Sequence, residues 1–337
     1  MGDRSKSAFA FHDVVLIADL AVDIVHGPAR LRHDLEATDL GTLASLIAAI
    51  ESLGLRVHHY TDPKALALHA CQHAGDIVLS IYGGADSRNR MALVPAICEA
   101  YGLSYVGPDV YGRVICQDKE LSKNLARQCG LRTPEHRIIR SPSDIEVAQM
   151  FPVPFVAKPL LEGSSIGISQ QNLVRDANEG SALVLDILAE FHQPVIIEQF
   201  VPGKEVSYNC IEARPMNHSA YSEIRVEGAE DYFDSHLFDA DEKLNRRLRR
   251  SVRAIDALLS PLDRSLIDKF LQTLGRFGYC RVDGKHDKGS FVFLEVTPDA
   301  WIGPKGAFAG SFIDKGWAYQ DVIASLLTSA TLSPPGR

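Results

Sequence analysis

Residues 155–167 read F-V-A-K-P-L-L-E-G-S-S-I-G. An apolar run carries Lys158 into a small-residue loop that closes on Gly167. Lys158 can set a fixed positive charge against a phosphate. Gly163, Ser164, Ser165 and Gly167 let backbone N–H groups and hydroxyls approach phosphate oxygens with no bulky side chain in the way. The spacing is not that of a Walker A loop, because no Gly-Lys-Ser/Thr follows. Taken alone, the stretch also fits a β-hairpin with Gly and Ser in its turn. Three further constellations weigh against that plainer reading.

Upstream, Asp118 can cap a helix that Gly130 ends, with Leu121, Leu125 and Ala126 at helical spacing. Lys119 then falls in the first turn, where a cation gains nothing from the helix dipole; reaching toward a bound anion would explain it. Downstream, V-I-I-E-Q-F-V-P-G-K-E-V-S spans 195–207. It reads as a buried strand, a linker at 199–201 and a second strand opening near Glu205. Such a linker can offer backbone groups to a flat base while a nearby carboxylate accepts hydroxyls; a plain strand–turn–strand fits equally. Further on, Arg281-Val282-Asp283 and 291–297 (F-V-F-L-E-V-T) look like adjacent strands joined by the polar turn 285–290. Asp283 and Glu295 would then lie side by side. Like charges there repel unless a cation sits between them, and hard oxygen donors suit Mg²⁺. Arg281, two residues from Asp283, should share its face and could stabilise developing negative charge. Two rim carboxylates in separate ion pairs are the alternative.

The order D-K, K-P-x-x-E-G-S-S-I-G, I-E-Q-F-V-P-G-K-E, R-V-D, L-E-V resembles the ATP-grasp superfamily, and most closely the D-alanine–D-alanine ligases, from about residue 82 onward. The resemblance implies an α/β protein with a Rossmann-like N-terminal lobe (1–116) before a two-lobed ATP-grasp fold (117–193 and 194–330). It implies an ATP-dependent ligase joining a carboxylate to an amine through an acylphosphate. By the same resemblance Lys119 and Lys158 contact ATP phosphates, and Gly163, Ser164, Ser165 and Gly167 belong to the mobile loop over the triphosphate. Glu198, Gln199, Phe200 and Val201 hold adenine and Glu205 the ribose. Asp283, Glu295 and Thr297 take Mg²⁺, with Mn²⁺ as an alternative, and Arg281, Lys158 and Ser165 form the catalytic set.

Departures from the family pattern cluster on the amino-acid side. The last metal ligand is usually Asn; here it is Thr297, shorter, neutral and a weaker donor. The serine that receives the second amino acid's carboxylate falls near Gly306, while Trp301 and Lys305 enter the same region. Residues 231–239 carry no lysine before Lys243, and residues 20–32 lack the usual Gly-Gly and Ser-x-Glu set. A ligase with a different amino-acid-like substrate is the expectation; the alternative is an ATP-binding protein or phosphotransferase on the same scaffold.

A chain of 337 residues suits two or three lobes. Alternating strands and helices before residue 101 predict a parallel sheet, with Gly83-Gly84 at a strand's carboxyl end as either a substrate contact or a plain turn. No G-x-G-x-x-G is present, which argues against a dinucleotide oxidoreductase. The net charge of −8 argues against nucleic acid as a partner. The arginines at 246–253 are read as the solvated face of a helix, and a second helix is expected at 265–277. The six scattered cysteines lack Cys-x-x-Cys spacing, and most of them read as core thiols. With no signal peptide and no membrane-length apolar run, the expected location is cytoplasmic. Small-molecule carboxylate and amine partners are expected. Relatives of this kind are often dimers, but the sequence does not fix the oligomeric state.

Overall fold

The computed structural model describes residues 9–11, 13–23, 35–84, 87–239 and 249–332. The first lobe is a parallel sheet of β1 (Asp13–Ile17), β2 (Arg56–Tyr60), β3 (Ile77–Ser80) and β4 (Ser104–Tyr105), in the order β2-β1-β3-β4. β1 and β3 are buried along their length and apolar except for Asp13 and Ser80 at their ends, as strands covered on both faces by helices must be. The covering helices include Leu40–Ser52, capped by Asp39, and Leu93–Tyr101, ended by Gly102 in the left-handed region.

A second, antiparallel sheet holds β5 (His136–Ile139), β6 (Phe155–Pro159), β7 (Leu173–Val174) and β8 (Val195–Gln199), ordered β5-β8-β6-β7. β8 pairs with both β5 and β6. This sheet therefore runs past residue 193, where the sequence reading ended the middle lobe. The helix Ala177–Phe191 packs on it. The third sheet, β11-β10-β9-β12-β13, is wholly antiparallel and comprises β9 (Lys204–Ile211), β10 (His218–Val226), β11 (Arg250–Ala254), β12 (Tyr279–Asp287) and β13 (Ser290–Thr297).

Three expectations need correction. Arg250 and Arg253 lie on the edge strand β11 and not on a helix, because residues 250–254 pair with 222–226 of β10; Lys243 and Arg246–Leu248 lie outside the described residues. The helix expected at 265–277 runs Pro261–Thr273, started by Ser260 capping Asp263 with Pro at its first turn. The polar turn expected at 285–290 is tighter: β12 continues to Asp287 and the chain reverses at Lys288-Gly289.

The third sheet's two faces differ in a way that positions the site. Val206, Tyr208, Cys210, Cys280, Val282 and Val296 face a core shared with the helices Pro261–Thr273 and Lys119–Cys129. The alternate residues Ser207, Arg281, Asp283 and Thr297 face the other way, into a cavity. The C-terminal helices Ala307–Asp314 and Tyr319–Ser329 return to the first lobe, where Phe308, Val322 and Leu326 join Leu43, Leu46 and Ile50 in one core. First and last lobes are thus welded through residues some 280 positions apart in sequence.

Candidate active site

A cavity of about 1210 Å³ lies where the three sheets meet. Single drug-sized ligands occupy roughly 300–1,000 Å³, so the space suits a nucleotide together with smaller reactants. Lys119, Lys158, Gly163, Ser164, Ser165, Glu198, Gln199, Phe200, Val201, Glu205, Arg281, Asp283, Glu295 and Thr297 all line it. Gly167 does not. At φ +75° it turns the loop beneath the cavity, and a Cβ there would meet the Phe191 ring at 2.7 Å and Pro159 at 2.8 Å.

The centre of the site is an ion network. Asp118 caps the helix Lys119–Cys129 by accepting from the N–H groups of Glu120 and Leu121. Lys119 and Lys123, one turn apart, both lie on this helix's buried face. Glu198 on β8 accepts from Lys158 Nζ at 2.5 Å and sits 2.8 Å from Lys123 Nζ. Burial pushes the Glu198 carboxyl up, but Lys123 and Lys158 outweigh it and hold its pKa at about 2. Burial also opposes the Lys158 charge; Glu198, Glu295 and Glu205 overcome it and raise its pKa. For Lys119 and Lys123 burial prevails, and both titrate below the ordinary lysine value. Lys119 Nζ donates to the Glu162 carbonyl and lies 3.8 Å from Glu295. Lys123 is a site residue the sequence reading missed. The signal for it was present: Lys119, Ser122, Lys123 and Ala126 share the i, i+3, i+4, i+7 face that turns inward.

Glu198, which the resemblance places near adenine, has its carboxylate against the two lysines at the cavity wall. In the following linker, the N–H groups of Gln199 and Phe200 donate to the carbonyls of Glu135 and Pro154, continuing the sheet. Glu205 meets Lys285 Nζ at 2.8 Å.

Asp283 and Glu295 are register partners across β12 and β13, as the sequence implied, beside a β-bulge at Asp283/Gly284. Asp283 accepts from Arg281 Nε at 2.8 Å, Ser207 Oγ at 2.7 Å and Thr297 Oγ1 at 3.2 Å. Burial raises the Asp283 pKa, Arg281 opposes it, and Glu295 adds repulsion. Two carboxylates held side by side against their own repulsion, with a hydroxyl next to them, form an oxygen donor set suited to Mg²⁺.

Two loops cover the cavity and bond to each other. Ser164 (φ 51°) and Ser165 (φ 63°) occupy the left-handed region, which costs a non-glycine residue about 1–2 kcal/mol. Ser165 Oγ donates to the Phe238 carbonyl at 2.9 Å. Gln170 Nε2 donates to the Leu237 carbonyl at 2.8 Å and receives the Leu237 N–H on its Oε1. Phe238 itself lines the cavity.

At the far end, residues 298–307 form one wall. Arg113, fully buried, donates to Asp299 and to the Pro108 carbonyl, which anchors this wall to the first lobe. Trp301 is 55% exposed and lines the cavity with Lys305 and Gly306, so it is not core packing. Gly83 also lines the cavity, and its N–H donates to Asp19 Oδ1 at 3.2 Å. Arg90 bridges Glu36 and Glu162, joining the first lobe to the start of the loop at 163–167. Neither Arg113 nor Arg90 was singled out from sequence.

All six cysteines are free. Among the described residues no helix is long and apolar enough to cross a membrane.

Residues 125–328 match the family described as D-ala D-ala ligase C-terminus. D-alanine–D-alanine ligase B of Chromobacterium violaceum is 27% identical over 287 residues, covering 84% of this chain and 90% of that protein. The D-alanine–D-alanine ligase of Ralstonia nicotianae is 27% identical over 301 residues, 85% of each chain. Among solved structures, the ATP-complexed D-alanine–D-alanine ligase of Bacillus anthracis superposes with a TM-score of 0.69 at 18% identity, covering 96% of this chain and 98% of that one. The VanG D-Ala:D-Ser ligase of Enterococcus faecalis gives 0.67 at 17% identity, covering 95% and 99%. The chain belongs to the D-alanine–D-alanine ligase family of ATP-dependent carbon–nitrogen ligases with the ATP-grasp fold.

Proposed function

We propose that this protein activates a carboxylate with ATP as an acylphosphate and passes the acyl group to an amine, with an amino-acid-like acceptor other than D-alanine. The observation that carries the reading is one cavity holding paired cations and carboxylates at one end and a Trp- and Lys-bearing wall at the other.

ATP is the co-substrate in this reading. Lys119 and Lys158 neutralise its phosphates, and Asp283 and Glu295, helped by Thr297, would hold Mg²⁺, which lowers the charge barrier at the transferring phosphoryl group. The substrate carboxylate oxygen bonds to the γ-phosphorus as the bond to ADP breaks. The amine nitrogen then attacks the acyl carbon, phosphate leaves, and the amine's proton goes with it. Arg281 supports negative charge on the acyl oxygen. The paired loops at 163–170 and 231–239 keep water from the acylphosphate.

Two features support an altered acceptor. Gly306 offers no hydroxyl where the resemblance leads one to expect a serine. Trp301 and Lys305 add bulk and a cation to the same wall, which suits a larger or acidic acceptor. The relative named as a D-Ala:D-Ser ligase supports the idea that this scaffold serves other acceptors. The test is ADP release over a panel of D- and L-amino acids, with and without hydroxylamine. Acid-dependent ADP with hydroxamate trapping is expected. ADP accompanied by a stable phosphorylated product and no amide would make the protein a phosphotransferase instead.

A further inference from the structure

A second cluster of coordinating groups lies in the first lobe, away from the cavity. Period-two alternation on β2 puts His58 and Tyr60 on one strand face, while His59 bonds the Ala18 carbonyl on the other. The short 3₁₀ turn Ala70–His73 sets the buried His73 ring against that face, 5.1 Å from the His58 ring. The chain then reverses through Gly75, at φ +90°, and brings Asp76 back to His73. Asp76 Oδ2 lies 3.0 Å from His73 Nδ1. The ligand atoms of His58, His73 and Asp76 all lie within 4.8 Å of one another. Asp76 stands just before β3 and the cluster partner Asp13 begins β1, whereas the cavity is lined by Ile81, Tyr82 and Gly83 beyond the carboxyl end of β3.

We propose that His58, His73 and Asp76 bind a zinc-type divalent cation, Zn²⁺ or its analogue Co²⁺, at a site separate from the ligase centre. Two imidazoles and one carboxylate are the donors such ions select over Mg²⁺. The 3.0 Å spacing of His73 Nδ1 and Asp76 Oδ2 suits two ligands each about 2.0–2.2 Å from one ion. The other nitrogen of His73, Nε2, is 2.9 Å from the Tyr60 hydroxyl, an outer partner that fixes the ring and leaves Nδ1 for the metal. His58 is the adjustable ligand. Its side chain is 41% exposed and its Nε2 is held 2.9 Å from Asp13, itself tied by Arg56. Binding exchanges the His58–Asp13 hydrogen bond for a metal bond, and the exposed side leaves a fourth position for water. The ion would tie β2 to the turn before β3.

The experiment is zinc binding by equilibrium dialysis on chelator-stripped full-length protein in millimolar Mg²⁺ with a non-hydrolysable ATP analogue, which keep zinc from the cavity. Wild type, His58→Ala, His58→Gln and Asp76→Asn are compared, with melting curves in the absence of zinc to confirm folding. Wild type should hold one zinc per chain, and either His58 variant should bind at least tenfold more weakly with Mg²⁺-dependent ligase turnover unchanged. Co²⁺-loaded wild type should show visible d–d absorption that the variants lose. If wild type binds no zinc, or if the folded His58 variants bind it within tenfold of wild type, the proposal is overturned, and the contacts are two ordinary His–Asp pairs.

Discussion

The two ends of the cavity, which the proposed function assigns to phosphate and to acceptor, are built on opposite principles. At the phosphate end every charge has a counter-charge: Lys123 and Lys158 hold Glu198, Arg281 holds Asp283, and Lys285 holds Glu205. At the acceptor end, Trp301 is more than half exposed and Lys305 stands in the open wall, while Arg113 and Asp299 fix only the backbone behind them. Buried pairs in low dielectric cannot be altered singly without stranding a charge. Exposed side chains on an anchored wall can change with little cost to folding. On the proposed reading, the activating end is fixed by its buried pairs and the acceptor end is open to substitution.

The sharpest way to break this contrast is Lys158→Ala. ATP turnover should fall on the order of 10²–10³-fold or more, since one preorganised charge facing the transferring group is worth about that. The fold should survive with a lowered melting temperature, because Glu198 keeps Lys123. Assay of ADP release alongside a thermal melt checks both halves, and wild-type turnover would remove Lys158 from the site.

Asp283→Ala and Glu295→Ala should each raise the Mg²⁺ concentration for half-maximal turnover about tenfold or more. A magnesium titration that leaves either variant unchanged would show that the residue is not a ligand.

Glu198→Gln probes the same end through stability. It leaves Lys123, fully buried, facing Lys158 without a counter-charge, and breaking a buried pair costs about 3–5 kcal/mol. The folded-state pKa of about 2 lies below the ordinary 4.5, so the pair's contribution is present above pH 4.5 and is lost as pH falls toward 2. Urea midpoints at pH 3 and pH 6 should differ less in the variant than in wild type.

At the acceptor end the effects should be smaller and confined to specificity. Trp301→Ala and Lys305→Ala should each shift kcat/KM among acceptors by roughly tenfold, since one side-chain contact is worth about 1–3 kcal/mol. Their KM for ATP should not move; a matching change in it would erase the distinction between the two ends. Smallest of all, Thr297→Asn should tighten Mg²⁺ a few-fold without creating D-alanine use, because metal and acceptor occupy different walls.

The sequence was most legible where chemistry is carried by neighbours. The loop at 163–167, the Asp118 cap and the Asp283–Glu295 pairing all follow from local spacing and strand alternation. It was least legible where partners lie far apart. Nothing near Lys123 announces Glu198, and Arg113 meets a residue 186 positions away. Glu198 shows the same limit: the resemblance assigns it to adenine with the linker that follows, and only the sheet reveals that its carboxylate lies against two lysines. The arginines at 250 and 253 read as a helix face by composition, but pairing with β10 makes them an edge strand. Trp301, apolar and bulky, carried no sign of whether it lay in the core or on the cavity wall.

The most direct test of the account is a competition for products. Purified protein is given ATP, Mg²⁺, D-alanine and an equimolar pool of D- and L-amino acids, and the amides are identified and timed by mass spectrometry. The account predicts that ATP-dependent mixed amides dominate and that D-alanyl-D-alanine forms at a small fraction of their rate. D-alanyl-D-alanine as the main product, at a kcat on the order of 10 per second, would contradict it.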